Sequence, residues 1–204
     1  MFSQKKQLFL PISLLLMILA FSIILTAVTM ESDAIDSAGD SEISTEADPI
    51  TGIIYAKESD GSLSIYSVPQ SLPQAVAIWD GVKEIGSYAF SGRSIGSISI
   101  PASVEVISDH AFERTTLGSV TFEEGSELTT IKTFAFSDSS LTSIDLSNCV
   151  SLTSIGDSAF SGSHLNSISL PDGLQSIGTQ AFASTMLTSI QLPSSVATLS
   201  LIHI

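Results

Sequence analysis

Hydrophobic and polar positions along most of this chain recur at a nearly constant spacing. The string Ile-Gly-x-x-Ala-Phe appears five times, at residues 85–90, 107–112, 131–136, 155–160 and 177–182, with Ser108 and Lys132 replacing the glycine in two copies. Successive copies are 22, 24, 24 and 22 residues apart. Because a period of this length is typical of solenoids, the pattern predicts five stacked repeats, called rungs 1 to 5 from here on.

A second apolar pattern begins five residues after each phenylalanine. Its apolar positions are Ile95, Ile98 and Ile100; Leu117, Val120 and Phe122; Leu141, Ile144 and Leu146; Leu165, Ile168 and Leu170; and Leu187, Ile190 and Leu192. Since its last part alternates with period two, the pattern predicts a short strand with every second side chain buried. One rung alone cannot bury enough apolar surface to fold, so these strands are expected to stack in a parallel sheet.

These repeats resemble the BspA-like family of leucine-rich repeats over residues 76–199, on the Ile-Gly-x-x-Ala-Phe anchor and the leucine-like string after it. We therefore expect an α/β repeat fold, a leucine-rich-repeat solenoid. It would have short parallel strands on the concave face and the Ala-Phe segments as short helical turns on the convex face. The family's members are commonly surface-exposed or secreted proteins associated with adhesion, so the resemblance implies a binding role.

The residues before the repeats divide into three predicted segments. Residues 1–30 place Lys5 and Lys6 before an apolar stretch, which predicts a signal peptide or an uncleaved signal anchor. Residues 31–49 are acidic and lack aromatic side chains, which favours a disordered linker. Residues 50–75 hold two β-prone stretches around Asp60-Gly61, which predicts a β-hairpin that caps the first rung.

The predicted strands place one polar row toward the solvent on the concave face. We take as candidate ligand-binding residues the two polar positions of each strand: Ser97, Ser99, Ser119, Thr121, Ser143, Asp145, Ser167, Ser169, Ser189 and Gln191. Small hydroxyl groups in a flat array suit an extended polypeptide or a glycan. The alternative interpretation is that serine only fills an exposed strand position, because the row lacks the aromatic and arginine side chains that dominate binding hot spots.

The net charge and the absence of catalytic and metal-binding motifs exclude several classes of function. The formal net charge is −14, and the chain after residue 30 carries five basic and 21 acidic residues, so nucleic acid is not an expected partner. No catalytic motif, metal-ligand spacing or cofactor loop is present, and we predict neither an enzyme, nor a metal site, nor a cofactor. Cys149 is expected to pack in the core, Trp79 at the first rung boundary, and His110 and His164 on the surface.

The expected function is that of an extracytoplasmic binding module, secreted or anchored at the cell surface, for other proteins or glycans. Contact with the membrane is expected only through the N-terminal apolar segment. Two alternatives stay open: a passive structural stalk, and the repeat portion of a longer protein whose active domain is missing. The repeat pattern fails at Ser200, His203 and Ile204. Because a transposon end found in some sequencing adapters can encode the last six residues, we interpret 199–204 as a non-native tail.

Overall fold

Parallel strands stacked in register build the repeat region. The structure, a computed structural model, describes residues 44–199, and over this range the chain forms a β-solenoid of about five turns. The strands are β1 Ser44–Ala47, β2 Ile54–Lys57, β3 Leu63–Ser67, β4 Ala75–Ala77, β5 Val82–Ile85, β6 Ser97–Ile100, β7 Val106–Ile107, β8 Ser119–Phe122, β9 Thr130–Ile131, β10 Ser143–Asp145, β11 Ser154–Ile155, β12 Ser167–Ser169, β13 Ser176–Ile177 and β14 Thr198–Leu199. The predicted parallel stacking is confirmed.

Rungs 1 to 4 each contribute two strands to the solenoid, where the sequence predicted one. Rung 5 contributes only β13, so the strand predicted over Leu187, Ile190 and Leu192 is wrong, and Leu192 is 40% exposed. The leucine-like strings of rungs 1 and 2 form β6 and β8, which continue a sheet in the order β4-β6-β8, and those of rungs 3 and 4 form a separate pair, β10 and β12. A longer ladder runs β3-β5-β7-β9-β11-β13-β14, with all neighbours parallel. Its strands from β5 to β13 end on the anchor isoleucines, whose buried side chains fix the register from rung to rung.

The predicted helical turns on the convex face are wrong, because none of residues 44–199 is helical. The Ala-Phe segments are instead chains of tight turns: Ala89 N–H donates to Gly86 O at 3.2 Å, and Phe90 N–H donates to Ala111 O of the next rung at 2.8 Å. A helix needs right-handed backbone at successive residues. Here two residues of each Ala-Phe segment take positive φ. They are Tyr88 and Gly92, His110 and Arg114, Phe134 and Asp138, Ser158 and Gly162, and Gln180 and Ser184.

A column of five phenylalanine rings forms the centre of the core, one ring from each rung. Phe90, Phe112, Phe136, Phe160 and Phe182 are all 0% exposed. Neighbouring ring centroids lie 5.2, 5.0, 5.2 and 5.5 Å apart, and the ring planes differ by at most 10°. We call this column the phenylalanine spine. It explains why phenylalanine stands at this position in every copy of the anchor.

Close packing of rungs 4 and 5 accounts for their anchor glycines. A Cβ atom on Gly156 would lie 2.7 Å from the backbone of Lys132, and one on Gly178 would lie 2.5 Å from the backbone of Gly156. A Cβ atom on Gly86, by contrast, would have no heavy atom within 4 Å except those of Gly86 and its two chain neighbours. Glycine is therefore required by close backbone approach in the later rungs and not in the first.

Strands β1, β2 and β3 form an antiparallel meander at the start of the long ladder. Strands β2 and β3 flank the Asp60-Gly61 turn, and β3 then pairs in parallel with β5. Trp79 stacks on Tyr55 of β2 with ring centroids 4.5 Å apart. Strand β1 lies within residues 31–49, where a disordered linker was predicted. Pairing with the β2 edge supplies backbone hydrogen bonds that composition does not reveal.

Three of the predicted segments lie wholly or partly outside the described residues: the signal or anchor at residues 1–30, residues 31–43 of the predicted linker, and residues 200–204 of the predicted tail. Thr198–Leu199 pairs with β13 and continues the long ladder. Across residues 44–199, no helix is long and apolar enough to cross a membrane.

Candidate binding surfaces

Eight of the ten predicted ligand-binding residues lie in register on paired strands. Four of them, Ser97, Ser99, Ser119 and Thr121, face each other across β6 and β8. The next four, Ser143, Asp145, Ser167 and Ser169, do so across β10 and β12. No strand pairing joins β8 to β10, although the two strands lie side by side, so the ladder is interrupted between these two groups of four. We call the ten residues together the hydroxyl strip.

The hydroxyl strip is open to solvent and carries one charged side chain. Ser97 and Ser99 are half-buried, and the other eight residues are exposed. Hydrogen bonds from the Ser147 hydroxyl and backbone N–H, with a further one from Ser169, hold the pKa of Asp145 below its usual value of 3.8. Asp145 is therefore a fixed carboxylate among neutral hydroxyl groups, able only to accept hydrogen bonds.

A groove ends the hydroxyl strip beside β12. Ser189 and Gln191 belong to an extended segment that does not pair with β12. The space between this segment and β12 is a groove of about 470 Å³, lined by residues 166–170, Asp172 and 189–193. Ile168 and Leu170 are only half-buried there, and Leu192 is 40% exposed. The groove thus adds partly apolar surface to a strip that is otherwise polar.

A second row of rings lies on the outside of the turns, two residues before the phenylalanine spine. Tyr88, His110 and Phe134 come from rungs 1, 2 and 3. The His110 ring stacks on Tyr88 with centroids 4.5 Å apart and on Phe134 with centroids 5.0 Å apart. Tyr88 is 58% exposed and Phe134 is 36% exposed. We call these three side chains the outer stack. His110 was predicted to be a simple surface residue, whereas it is half-buried between two rings.

Charged side chains lie beside the outer stack, and one of them contacts its imidazole. Glu113 Oε2 lies 3.1 Å from His110 Nδ1. Its other carboxylate oxygen lies 3.6 Å from an Arg114 guanidinium nitrogen, and Arg114 Nε lies 3.9 Å from Asp138 of rung 3. These contacts connect rungs 2 and 3 beside the rings and limit the orientations of the imidazole.

Sequence reasoning missed the outer stack, although the signal was present. Aligning the five anchors places Tyr88, His110 and Phe134 at one repeat position, occupied by Ser158 and Gln180 in rungs 4 and 5. It also missed a set of hydroxyl groups three residues after the spine, each donating to the carbonyl of the phenylalanine in its own rung: Thr115, Ser139, Ser163 and Thr185, at 2.7 to 2.9 Å.

The cysteine and the possible metal-ligating side chains of this region would be chemically reactive only in a suitable arrangement. Cys149 is buried, as predicted, and desolvation raises the pKa of its thiol, which disfavours the nucleophilic thiolate. Among the described residues, no three His, Cys, Asp or Glu side chains are grouped so that they could hold a metal ion.

Comparison with known proteins gives a family and several solved structures. The family described as BspA type Leucine rich repeat region matches residues 83–201 in six copies, which is more than half of the chain. A comparison with curated proteins gives no match.

Two solved structures resemble this chain well. The pneumococcal vaccine antigen PcpA is 27% identical, with a TM-score of 0.65 over 77% of this chain and 46% of PcpA. A leucine-rich repeat protein from Bacteroides ovatus is 29% identical, with a TM-score of 0.60 over 81% of this chain and 43% of that one. This chain thus matches less than half the length of either. A leucine-rich cell surface protein from Faecalibacterium prausnitzii, 24% identical with a TM-score of 0.51 over 79% of this chain and 51% of its own, shares the fold.

Proposed function

Because the chain belongs to the family of BspA-type leucine-rich repeat proteins, we propose that it is an extracytoplasmic binding module that recognises proteins or glycans at a cell surface. The repeats of this family are typically non-catalytic binding modules, and the similar structures include bacterial cell-surface proteins. The apolar segment after Lys5 and Lys6 supports export of the part that follows it.

The observation that carries this proposal is the hydroxyl strip. Eight of its side chains come from two pairs of parallel strands, so their spacing along the solenoid follows the strand spacing of about 4.8 Å. A fixed array of donors and acceptors costs little conformational entropy when a ligand binds, because backbone pairing already orders it. The groove beside β12 extends the array with the half-buried side chains of Ile168 and Leu170.

The alternative function is a passive stalk in which the strip has no ligand. The strip itself contains no aromatic side chain and no arginine, and such side chains are what usually dominate binding energy. A ligand of the strip would therefore need many weak hydrogen bonds along an extended molecule. A compact ligand that inserts one large side chain does not fit this chemistry.

The test is a binding screen of the full chain against immobilised matrix proteins and cell-surface glycans. We expect at least one ligand, and we expect its binding to fall at least tenfold when Ser119, Ser143 and Ser167 are all changed to Lys. Each of these serines is exposed, so the substitution alters the surface and leaves the core intact.

The matched control changes three exposed serines outside the strip, Ser67, Ser71 and Ser151, to Lys, with the same gain of charge. Equal loss in both triple variants would attribute the effect to charge and would argue against the strip. Absence of any ligand across the whole panel would support the passive stalk.

A further inference from the structure

We propose that the outer stack forms a second binding surface, one that takes an arginine-bearing cationic polypeptide on the open ring face of Tyr88. This surface lies on the turns of rungs 1 to 3 and shares no residue with the hydroxyl strip. The inference goes beyond the proposed function, because that function rests on the hydroxyl strip and the family match and assigns no role to the outer stack.

The first argument is that the fold does not need rings at this position. Tyr88, His110, Phe134, Ser158 and Gln180 all take φ between 52° and 60°, so the same turn forms with aromatic and with small polar side chains. Bulky side chains are uncommon at positive φ, so the backbone of this turn gives no reason for an aromatic residue here. Aromatic residues in three adjacent rungs therefore call for a reason outside the folding of the turn.

The second argument is the geometry of the rings. The Tyr88 and His110 planes differ by 5°, and the His110 and Phe134 planes by 18°. His110 covers one face of Tyr88, no other ring in residues 44–199 stacks on the opposite face, and the side chain stays 58% exposed. A planar ring that is stacked on one face and mostly exposed is a platform for a flat or cationic group.

The third argument is the net negative charge of the region that carries the platform. Residues 44–199 contain five basic and 16 acidic residues, a net charge of −11. Two cations on the turns of rungs 2 and 3 lie close to carboxylates: Arg114 lies near Glu113 and Asp138, and Lys132 lies 3.6 Å from Glu84. A surplus of carboxylates attracts a cationic partner and repels an anionic one.

These observations favour arginine among the cationic side chains. A guanidinium group is planar, stacks on aromatic faces and is more weakly hydrated than an ammonium group. It can lie on the open face of Tyr88 while the partner's other cations approach exposed carboxylates such as Asp157 and Asp138. The glycan alternative would use the same ring but would gain nothing from the negative charge.

The experiment measures binding of the full chain to fluorescent hexa-arginine, with hexa-lysine, hexa-glutamate and the neutral glycan cellohexaose as comparison probes. We expect hexa-arginine to bind more tightly than hexa-lysine and hexa-glutamate not to bind. In the double variant Y88S/F134Q we expect hexa-arginine binding to weaken about tenfold. Ser and Gln are the residues that this chain already carries at the equivalent position in rungs 4 and 5, so folding should persist.

The matched control is Val150→Ser, which removes a 70% exposed apolar side chain far from the rings in sequence and should leave binding unchanged. Thermal unfolding of each variant confirms that the chain is folded. Two results would overturn the proposal: hexa-arginine binding that the double variant leaves unchanged, or no hexa-arginine binding at all. Cellohexaose binding that depends on the rings, without ring-dependent hexa-arginine binding, would also overturn it and would assign the platform to a glycan.

Discussion

Two columns of rings run along the same turns, two residues apart, and they differ in almost every respect. The phenylalanine spine uses one residue type in all five rungs, and every ring is fully buried. The outer stack uses three residue types in three rungs, gives way to Ser158 and Gln180, and is partly exposed. Both columns nevertheless stack at about 5 Å, since the rung spacing sets the distance for both.

The difference shows that one turn can hold a position fixed by core packing beside a position whose side chain is free to vary. At Phe136 the side chain must fill a fixed space between two neighbouring rings, so the position tolerates little variation. At Phe134 the backbone is equally constrained, with φ of 56°, but the side chain meets solvent on its outer side. The outer position can therefore vary from rung to rung while the inner position maintains the stack.

The largest effect is expected at the centre of the spine. Phe136→Ala removes a fully buried ring between Phe112 and Phe160, and we expect a loss of about 3–5 kcal/mol in the free energy of unfolding. Chemical denaturation followed by circular dichroism measures it. Phe136→Leu is the control and should lose clearly less. A loss below about 1 kcal/mol for the alanine variant would mean that the rungs do not depend on the spine.

A smaller effect on stability is expected from ionisation of the Tyr55 hydroxyl, which belongs to the stacked pair of Tyr55 and Trp79. Tyr55 is 1% exposed, stacks on Trp79, and burial raises the pKa of its hydroxyl from 10.0 to about 12. Because the folded state holds this proton more tightly than the unfolded state, its contribution is complete below pH 10 and is lost as the pH rises through about 12. The loss is on the order of 2–3 kcal/mol.

The measurement for Tyr55 is the free energy of unfolding between pH 9 and about pH 12 in the parent chain and in Tyr55→Phe. The variant lacks the ionisable hydroxyl, so the difference between the two chains isolates that group from all others that titrate. A parent and variant that lose stability in parallel over this interval would contradict the assignment.

The smallest effect is expected in the outer stack. Phe134→Gln should change the free energy of unfolding by less than about 1 kcal/mol, because the ring is partly exposed and Gln180 already occupies this position in rung 5. Denaturation beside the Phe136→Ala variant makes the comparison direct. If both substitutions cost the same, the outer stack is part of the core and its separate role is lost.

The sequence predicted the solenoid because period and burial are encoded together in the anchor and in the leucine-like string. It did not predict the second ladder, since strands such as β9 and β11 have two residues each and no alternation to detect. It predicted helical turns wrongly because Ala and Phe favour no particular turn, whereas the backbone bonds to the next rung decide the conformation. The outer stack depends on register between rungs, which a single repeat does not display.

The direction of the hydrogen bonds between rungs has a mechanical consequence. Bonds such as Phe112 N–H to Ala135 O and Phe136 N–H to Ala159 O join each rung to the next along the solenoid. Tension between the two ends therefore loads the rungs in series, and the weakest junction opens first. Each opened rung of 22 or 24 residues releases chain that extends by roughly 3.5 Å per residue, so a stretched solenoid lengthens in steps of about 80 Å. Single-molecule pulling would show evenly sized steps, and one all-or-none extension would contradict this behaviour.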